Sequence, residues 1–180
     1  MGKGLATIGL STLDQAALES GVFNIRDFNL RTLHEGLSVT PIELQLQWRV
    51  TYDRGFVGAE ALRARRAAGI SRRTTTFTAA APVAIGDRVF WSGRSIGEVM
   101  AFGWSPDRGD FVGLALLDIA VAHPGIDAFV VEATTGAVPI VTRSPPLVAS
   151  RSLKVDLAAH AANAFPNAAP PPAGEAPEWE

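Results

Sequence analysis

The sequence contains no cysteine, which excludes disulfide bonds, thiolate nucleophiles and cysteine-ligated zinc sites. It has three histidines, His34, His123 and His160, and their separations match neither an HxxxH nor an HExxH metal-binding pattern. We interpret all three as surface or packed side chains, and we predict no metal site.

No charge of one sign dominates, because the sequence has 16 basic and 18 acidic residues and a net charge of -2. Without a basic field, nucleic acid is not expected to be the main partner. The apolar run near the N-terminus is short and is interrupted by Ser11, Thr12 and Asp14. Neither a signal peptide nor a membrane span is predicted, and we expect a cytoplasmic protein with no membrane partner.

A phosphate-binding loop is also lacking. The stretch from Gly103 to Gly113 is glycine-rich, but no helix is predicted to follow it. Its turn residues, 105–109, instead predict a hairpin connection.

The composition, with 47% hydrophobic and 19% charged residues, is that of a globular chain with a packed core. Residues 4–10 predict a short strand that leads into a helix. Ser11 and Thr12 are good N-caps, with Asp14 and Gln15 three residues further on in each case. Gly21 supplies a left-handed stop for this helix.

A second helix start is predicted at Thr40, which is followed by a proline and by Glu43, a residue able to close a capping box. Residues 44–52 alternate with period two, which predicts an extended strand. Residues 58–69 are rich in helix formers, and Gly69 ends that helix. Its arginines suit a solvated face near a helix C-terminus, or, less well, an anion site: Arg63, Arg65 and Arg66.

From residue 72 onward the chain consists of short β-type runs separated by Gly, Pro, Asp and Ser. Their spacing predicts an antiparallel barrel or sandwich. We expect an α+β chain with three parts: a mixed segment at 1–70, a β-barrel or jelly-roll-like domain at 71–154, and a short helix followed by a tail at 155–180. The tail is rich in Pro and Ala and is predicted to be disordered. Its Trp179 is either an incidental exposed residue or an anchor on a partner chain.

Five segments, in order, resemble motifs of the C-terminal half of the glycine cleavage T-protein (aminomethyltransferase) family, a superfamily that also holds folate-dependent demethylases. Together they span residues 5 to 150. The segments are GLSTLDQAALESGVF (9–23), TPIELQLQW (40–48), GFVGAEAL (55–62), the stretch 94–119, and TRSPPLV (142–148).

This resemblance implies that residues 1–70 form part of a ferredoxin-like α/β segment that lines a folate channel. It implies tetrahydrofolate as cofactor, and transfer of a one-carbon unit from an O-, N- or S-methyl donor. The family's N-terminal half, with its catalytic aspartate, has no counterpart here. We therefore expect a second chain that resembles that half to carry the catalytic residues, and this chain alone to be inactive.

The resemblance also implies five folate-binding candidates. Glu19 takes the place of the glutamate that binds the pterin edge, and Arg54 that of an arginine six residues after the tryptophan. Trp48 and Tyr52 either wall the channel or pack in the core. Arg151 is a weaker candidate for the substrate or the folate tail.

Two alternative functions stay open. One is a non-catalytic structural subunit, and the other is a subunit of a folate-independent enzyme that acts on a hydrophobic substrate.

Overall fold

The computed structural model describes residues 9–22 and 39–148. It confirms the α+β class and the antiparallel barrel, and the six predicted β-type runs become six strands. The elements in chain order are α1 (Leu10–Ser20), a 3-10 turn (Gln47–Arg49), α2 (Ala59–Ala68), β1 (Arg72–Ala79), β2 (Arg88–Trp91), β3 (Arg94–Ser105), β4 (Asp110–Asp118), β5 (Phe129–Ala133) and β6 (Gly136–Arg143).

The six strands close into a barrel in the order β1-β4-β3-β2-β5-β6, and every pairing is antiparallel. Alternate residues point inward, so each strand contributes every second side chain to the core. Phe77 is fully buried and lies opposite Gly113, where a Cβ atom would overlap the Phe77 ring. The predicted hairpin is confirmed between β3 and β4, where the Gly109 amide donates to the Ser105 carbonyl at 2.8 Å.

Helix α1 covers part of the outer face of the barrel. Leu18 packs with Ala101 of β3 and Val112 of β4 in a second, smaller core. The helix ends at Gly21, which is left-handed as predicted (φ 67°). Its start differs from the prediction. Gly9, not Ser11 or Thr12, occupies the N-cap position, and no side chain caps the helix, because glycine has no side-chain oxygen to accept from the first helical amides. The Gly9 carbonyl accepts the Thr12 amide at 3.2 Å.

The predicted strand at 44–52 is wrong, and the predicted helix at Thr40 lasts only about one turn. The capping-box contacts do form, since the Thr40 amide donates to Glu43 Oε2 at 2.9 Å. The Glu43 carbonyl, however, accepts the Thr74 amide of β1 at 2.9 Å and is unavailable to a continuing helix. Gln45 then takes a left-handed conformation (φ 60°) and the chain turns. β6 pairs only with Thr76–Ala79 of β1, and the edge left free before Thr76 receives single contacts from this segment, through the Glu43 carbonyl and the Gln45 side chain, in place of a strand pairing.

Helix α2 follows the prediction and ends at Gly69. Arg63 and Arg66 are exposed, as predicted for a solvated face, while Arg65 is half-buried, and each of the three also has a partner within the chain. Arg63 donates to the Tyr52 carbonyl (2.7 and 2.9 Å), Arg65 pairs with Glu43, and Arg66 lies over the Tyr52 ring. These contacts join α2 to the 40–54 segment.

Most of the predicted 4–10 strand, the 155–180 helix and tail with Trp179, and Arg151 lie outside the described residues. The division into domains at residues 70 and 154 stays a prediction, although all six strands fall within 71–154. Within the described ranges, no helix is long and apolar enough to cross a membrane. In the same ranges, no three His, Asp or Glu side chains gather where a metal ion could be held.

Candidate ligand-binding cleft

A cleft of about 400 Å³ lies on the outer face of the barrel. Its walls are the C-terminal end of α1, the 44–49 turn, strand β1 and the chain that leaves β6. Much of the surface is apolar, with Leu18, Leu44 and Leu114 among the lining residues. A concave, mostly apolar space of this size with a few polar groups is typical of a small-molecule site.

Glu43 joins the wall formed by the 44–49 turn to α2 through its side chain and to β1 through its backbone carbonyl. Its side chain is only 2% exposed, and Oε1 lies 2.6 Å from Arg65 Nη2 and 2.7 Å from Arg65 Nε. Next to it, Gln45 Nε2 donates to the Thr74 carbonyl of β1 at 2.8 Å. Burial alone would raise the pKa of Glu43, but hydrogen bonds from Thr40 and Arg65 outweigh it and hold the pKa below its ordinary value. Glu43 is therefore an ionised anchor for the turn.

Three arginines line the cleft: Arg49, Arg73 and Arg143. Arg49 lies over the Trp48 ring, 4.7 Å from its centre. Arg73 donates to the carbonyl of Ala122, itself a lining residue, and Arg143 Nε lies 3.3 Å from the Thr78 hydroxyl. No aspartate or glutamate is among the lining residues described, so the wall is positive although the chain as a whole is slightly acidic.

Two buried polar atoms at the cleft residues lack a hydrogen-bond partner among the described residues. They are Arg73 Nε and the Thr75 hydroxyl. Buried polar groups are normally paired. Because Thr75 shares the inward face of β1 with Phe77, Arg73 Nε is the candidate for a contact to a ligand or to water in the cleft. Thr74 and Thr76, by contrast, donate to the backbone carbonyls of Glu43 (3.2 Å) and Arg143 (2.6 Å).

Of the predicted folate residues, Trp48 lies at the cleft. It is 72% exposed, so it is available to stack on a ligand or a partner and is not a core residue. Tyr52 lies outside the cleft lining, with Arg66 positioned 4.5 Å from its ring centre. Its buried hydroxyl has no partner within the described part of the chain.

Glu19 and Arg54 also lie outside the cleft lining. Glu19 is half-buried in the last turn of α1 and accepts a hydrogen bond from the Gln15 amide at 3.0 Å. Its backbone carbonyl accepts the amides of Leu147 (2.7 Å) and Val148 (3.2 Å), which ties α1 to the chain after β6. Arg54 is exposed in the turn before α2, and its carbonyl accepts from Arg63 Nη2 at 3.0 Å. The roles of these residues, and of Arg151, stay predictions.

Sequence reasoning missed the three cleft arginines. Arg73 was part of a β-type run, Arg143 part of the closing motif, and Arg49 part of a predicted strand. Nothing local marks them as a group, because the barrel fold brings together positions that are far apart in the chain.

Comparison with known proteins adds the following. No family model matches the chain. It is 30% identical over 148 residues to a probable aminomethyltransferase of Thermococcus gammatolerans, covering 79% of this chain and 37% of the relative. It is 32% identical over 83 residues to an aminomethyltransferase of Thermosipho melanesiensis, covering 45% of this chain and 23% of the relative.

A structural likeness is found with the glycine cleavage system aminomethyltransferase T of Bartonella henselae. The TM-score is 0.67 at 24% identity, over 78% of this chain and 39% of that one. The chain thus spans between 23% and 39% of the length of these proteins. Sequence and fold together confirm the predicted resemblance: this chain is related to the glycine cleavage T-protein (aminomethyltransferase) family and is consistent with its C-terminal half.

Proposed function

We propose that this chain is the folate-binding subunit of a two-chain, tetrahydrofolate-dependent methyl- or aminomethyltransferase (demethylase). The enzyme would move a one-carbon unit from an O-, N- or S-methyl donor to tetrahydrofolate. The catalytic residues would lie on a second chain that resembles the family's N-terminal half, and this chain alone would be inactive. A cytoplasmic location remains part of the proposal.

The observation that carries the proposal is the cleft of about 400 Å³ beside Trp48. Folate combines flat aromatic rings with carboxylates. An apolar cleft with an exposed indole at its wall and arginines around it fits both features. When bound, tetrahydrofolate would supply the nitrogen that accepts the one-carbon unit, while the protein would supply position and electrostatics.

The residues of this chain would hold the cofactor as follows. Glu19 lies outside the cleft lining but next to Leu18, which lines it. It would accept the N–H groups of a pterin edge that extends beyond the cleft, since a carboxylate has acceptor capacity beyond the single bond from Gln15. Trp48 would stack on a ring, while Arg54 and Tyr52 would close the channel from the turn before α2. Arg151 would face the substrate or the folate tail.

The proposal of a second chain is supported by apolar side chains that the described part of the molecule leaves uncovered. Trp48 and Phe56 are 72% and 43% exposed, and Val57 is fully exposed. Leu10, Leu13 and Val22 of the α1 region are also more than half exposed. Phe56 and Val57 are adjacent in the chain, and contiguous uncovered apolar surface marks interaction sites, whereas single exposed apolar residues are ordinary.

The test is co-expression with the neighbouring gene product that resembles the family's N-terminal half, followed by calorimetric titration with tetrahydrofolate. We expect saturable binding by the complex. Glu19→Ala should weaken it at least tenfold, which is about 1.4 kcal/mol. The matched control is Glu60→Ala, an exposed glutamate in the first turn of α2. A complex that binds no tetrahydrofolate contradicts the proposal.

The apolar lining also suits the alternative of a folate-independent enzyme subunit acting on a hydrophobic substrate. Under that alternative the complex has activity, but tetrahydrofolate neither binds nor accelerates it. A purely structural subunit is the third outcome: both Glu19→Ala and Arg54→Ala would then leave the activity of the complex unchanged.

A further inference from the structure

We propose that Arg49, Arg73 and Arg143 form a binding site for the carboxylate groups of a small molecule held in the cleft. The proposal deepens the proposed function, on which its folate arm rests. It concerns three residues that the family resemblance did not single out.

The first argument is charge. All three arginines line the cleft, and no acidic side chain joins them there among the described residues. Arginine presents a planar fork of donors that matches a carboxylate. Three guanidinium groups on a partly apolar wall would therefore attract an amphipathic acid, with its body against the leucines and its carboxylates against the arginines.

The second argument is that no carboxylate of the described residues neutralises the cleft arginines, whereas four other arginines are neutralised in this way. Arg65, Arg72, Arg94 and Arg108 each lie within 4 Å of a carboxylate of the protein. In the described residues, Arg49, Arg73 and Arg143 have an aromatic ring, a carbonyl, a histidine nitrogen or a hydroxyl as partners, and no carboxylate. The cleft arginines thus retain capacity for an external anion.

The third argument is an orphaned donor of Arg73. Its Nε is buried and lacks a partner among the described residues. A carboxylate oxygen in the cleft would offer this donor an acceptor.

Two sources could provide the carboxylate: the glutamyl tail of folate, or a separate organic acid that serves as the one-carbon donor. The test measures binding of three probes to the full chain in complex with its partner. The probes are tetrahydropteroate, which lacks glutamate, tetrahydropteroyl-triglutamate, and glutarate as a free dicarboxylic acid. The variants are Arg49→Gln and Arg143→Gln, both at exposed positions and so expected to fold, with the exposed Arg88→Gln of β2 as matched control.

If the tail is the ligand, the triglutamate binds at least about tenfold tighter than tetrahydropteroate. The reason is that a single hydrogen bond to a charged group contributes more than a tenfold difference in affinity. The two cleft variants remove most of that difference, while Arg88→Gln keeps it. If a separate acid is the ligand, glutarate binds with the same arginine dependence, and the two folates bind equally well. Either result supports the carboxylate site.

Equal affinity for both folates, no glutarate binding and no effect of the arginine variants would overturn the inference and leave the proposed function intact. Arginine-dependent glutarate binding without any folate binding would support the carboxylate site and contradict the proposed function. If none of the three probes binds, both the inference and the proposed function fail.

Discussion

The barrel and the segment that precedes it, residues 40–69, differ in how completely they bury their apolar side chains. In the barrel, every strand has a neighbouring strand on both sides and the inward side chains are buried, with Phe77, Val89, Val131 and Ile140 all at 0% exposure. In residues 40–69, Ala59 and Leu62 are the buried residues of α2, while Phe56 and Val57 remain uncovered. The barrel is self-contained, whereas residues 40–69 contact it through hydrogen bonds of Glu43 and Gln45 with Thr74 and present apolar surface outward.

The largest effect should come from the core of the barrel. Phe77→Ala removes a fully buried ring from a closed space, and we expect a loss of about 4 kcal/mol in the free energy of unfolding. The matched change in the segment, Leu62→Ala, should cost about 2 kcal/mol, since that side chain lies at the edge of burial (9% exposed). Urea unfolding followed by circular dichroism measures both. Equal losses would break the comparison.

The next effect tests the ion pair that joins α2 to the turn that contains Glu43. Arg65→Met leaves the Glu43 carboxylate buried without its cation, and we expect a loss of about 3 kcal/mol, at the low end for a broken buried pair because Arg65 is 35% exposed. Arg94→Met is the control, since it removes an exposed pair with Asp118 on the barrel and should cost less than about 1 kcal/mol. A loss for Arg65→Met no greater than for the control would show that the anchor is not needed.

A pH series sharpens the same point. Because the folded pKa of Glu43 is depressed below 4.5, its stabilisation is present at neutral pH and is lost as the pH falls through the folded value. Glu43→Gln lacks this titration. The stability difference between wild type and variant should therefore be largest near neutral pH and should shrink in acid. A difference that stays constant from about pH 7 to about pH 3 would refute the assignment.

The same two regions differ in how far the sequence predicts them. The six strands could be predicted because each is a short apolar run bounded by turn residues, and Gly21 and Gly69 could be predicted as helix stops because only a local backbone preference is involved. The 44–52 segment could not, because its period-two pattern does not reveal that the Glu43 carbonyl is taken by Thr74 of β1.

The candidate site was the hardest part to predict. Trp48 was chosen from a motif and lies at the cleft, but the three arginines come from a turn, the start of β1 and the end of β6. Their proximity is a property of the closed barrel and of the turn packed against it. Only the tertiary structure carries that information, and no short window of sequence does.

The smallest effect on stability should come from the uncovered surface of the segment. Val57→Ser changes a fully exposed side chain, so the free energy of unfolding of the chain alone should change by no more than about 0.5 kcal/mol.

If a second chain covers this surface, the same change should weaken association at least tenfold, or about 1.4 kcal/mol, because apolar anchors dominate interface energies. Ala137→Ser, at an exposed position of β6, should change neither quantity. Calorimetric titration of the partner into both variants measures the association. Unchanged association for Val57→Ser would mean that the partner docks elsewhere. A weakened one, with stability intact, would show that the surface left open by the segment is the surface on which the second chain completes the fold.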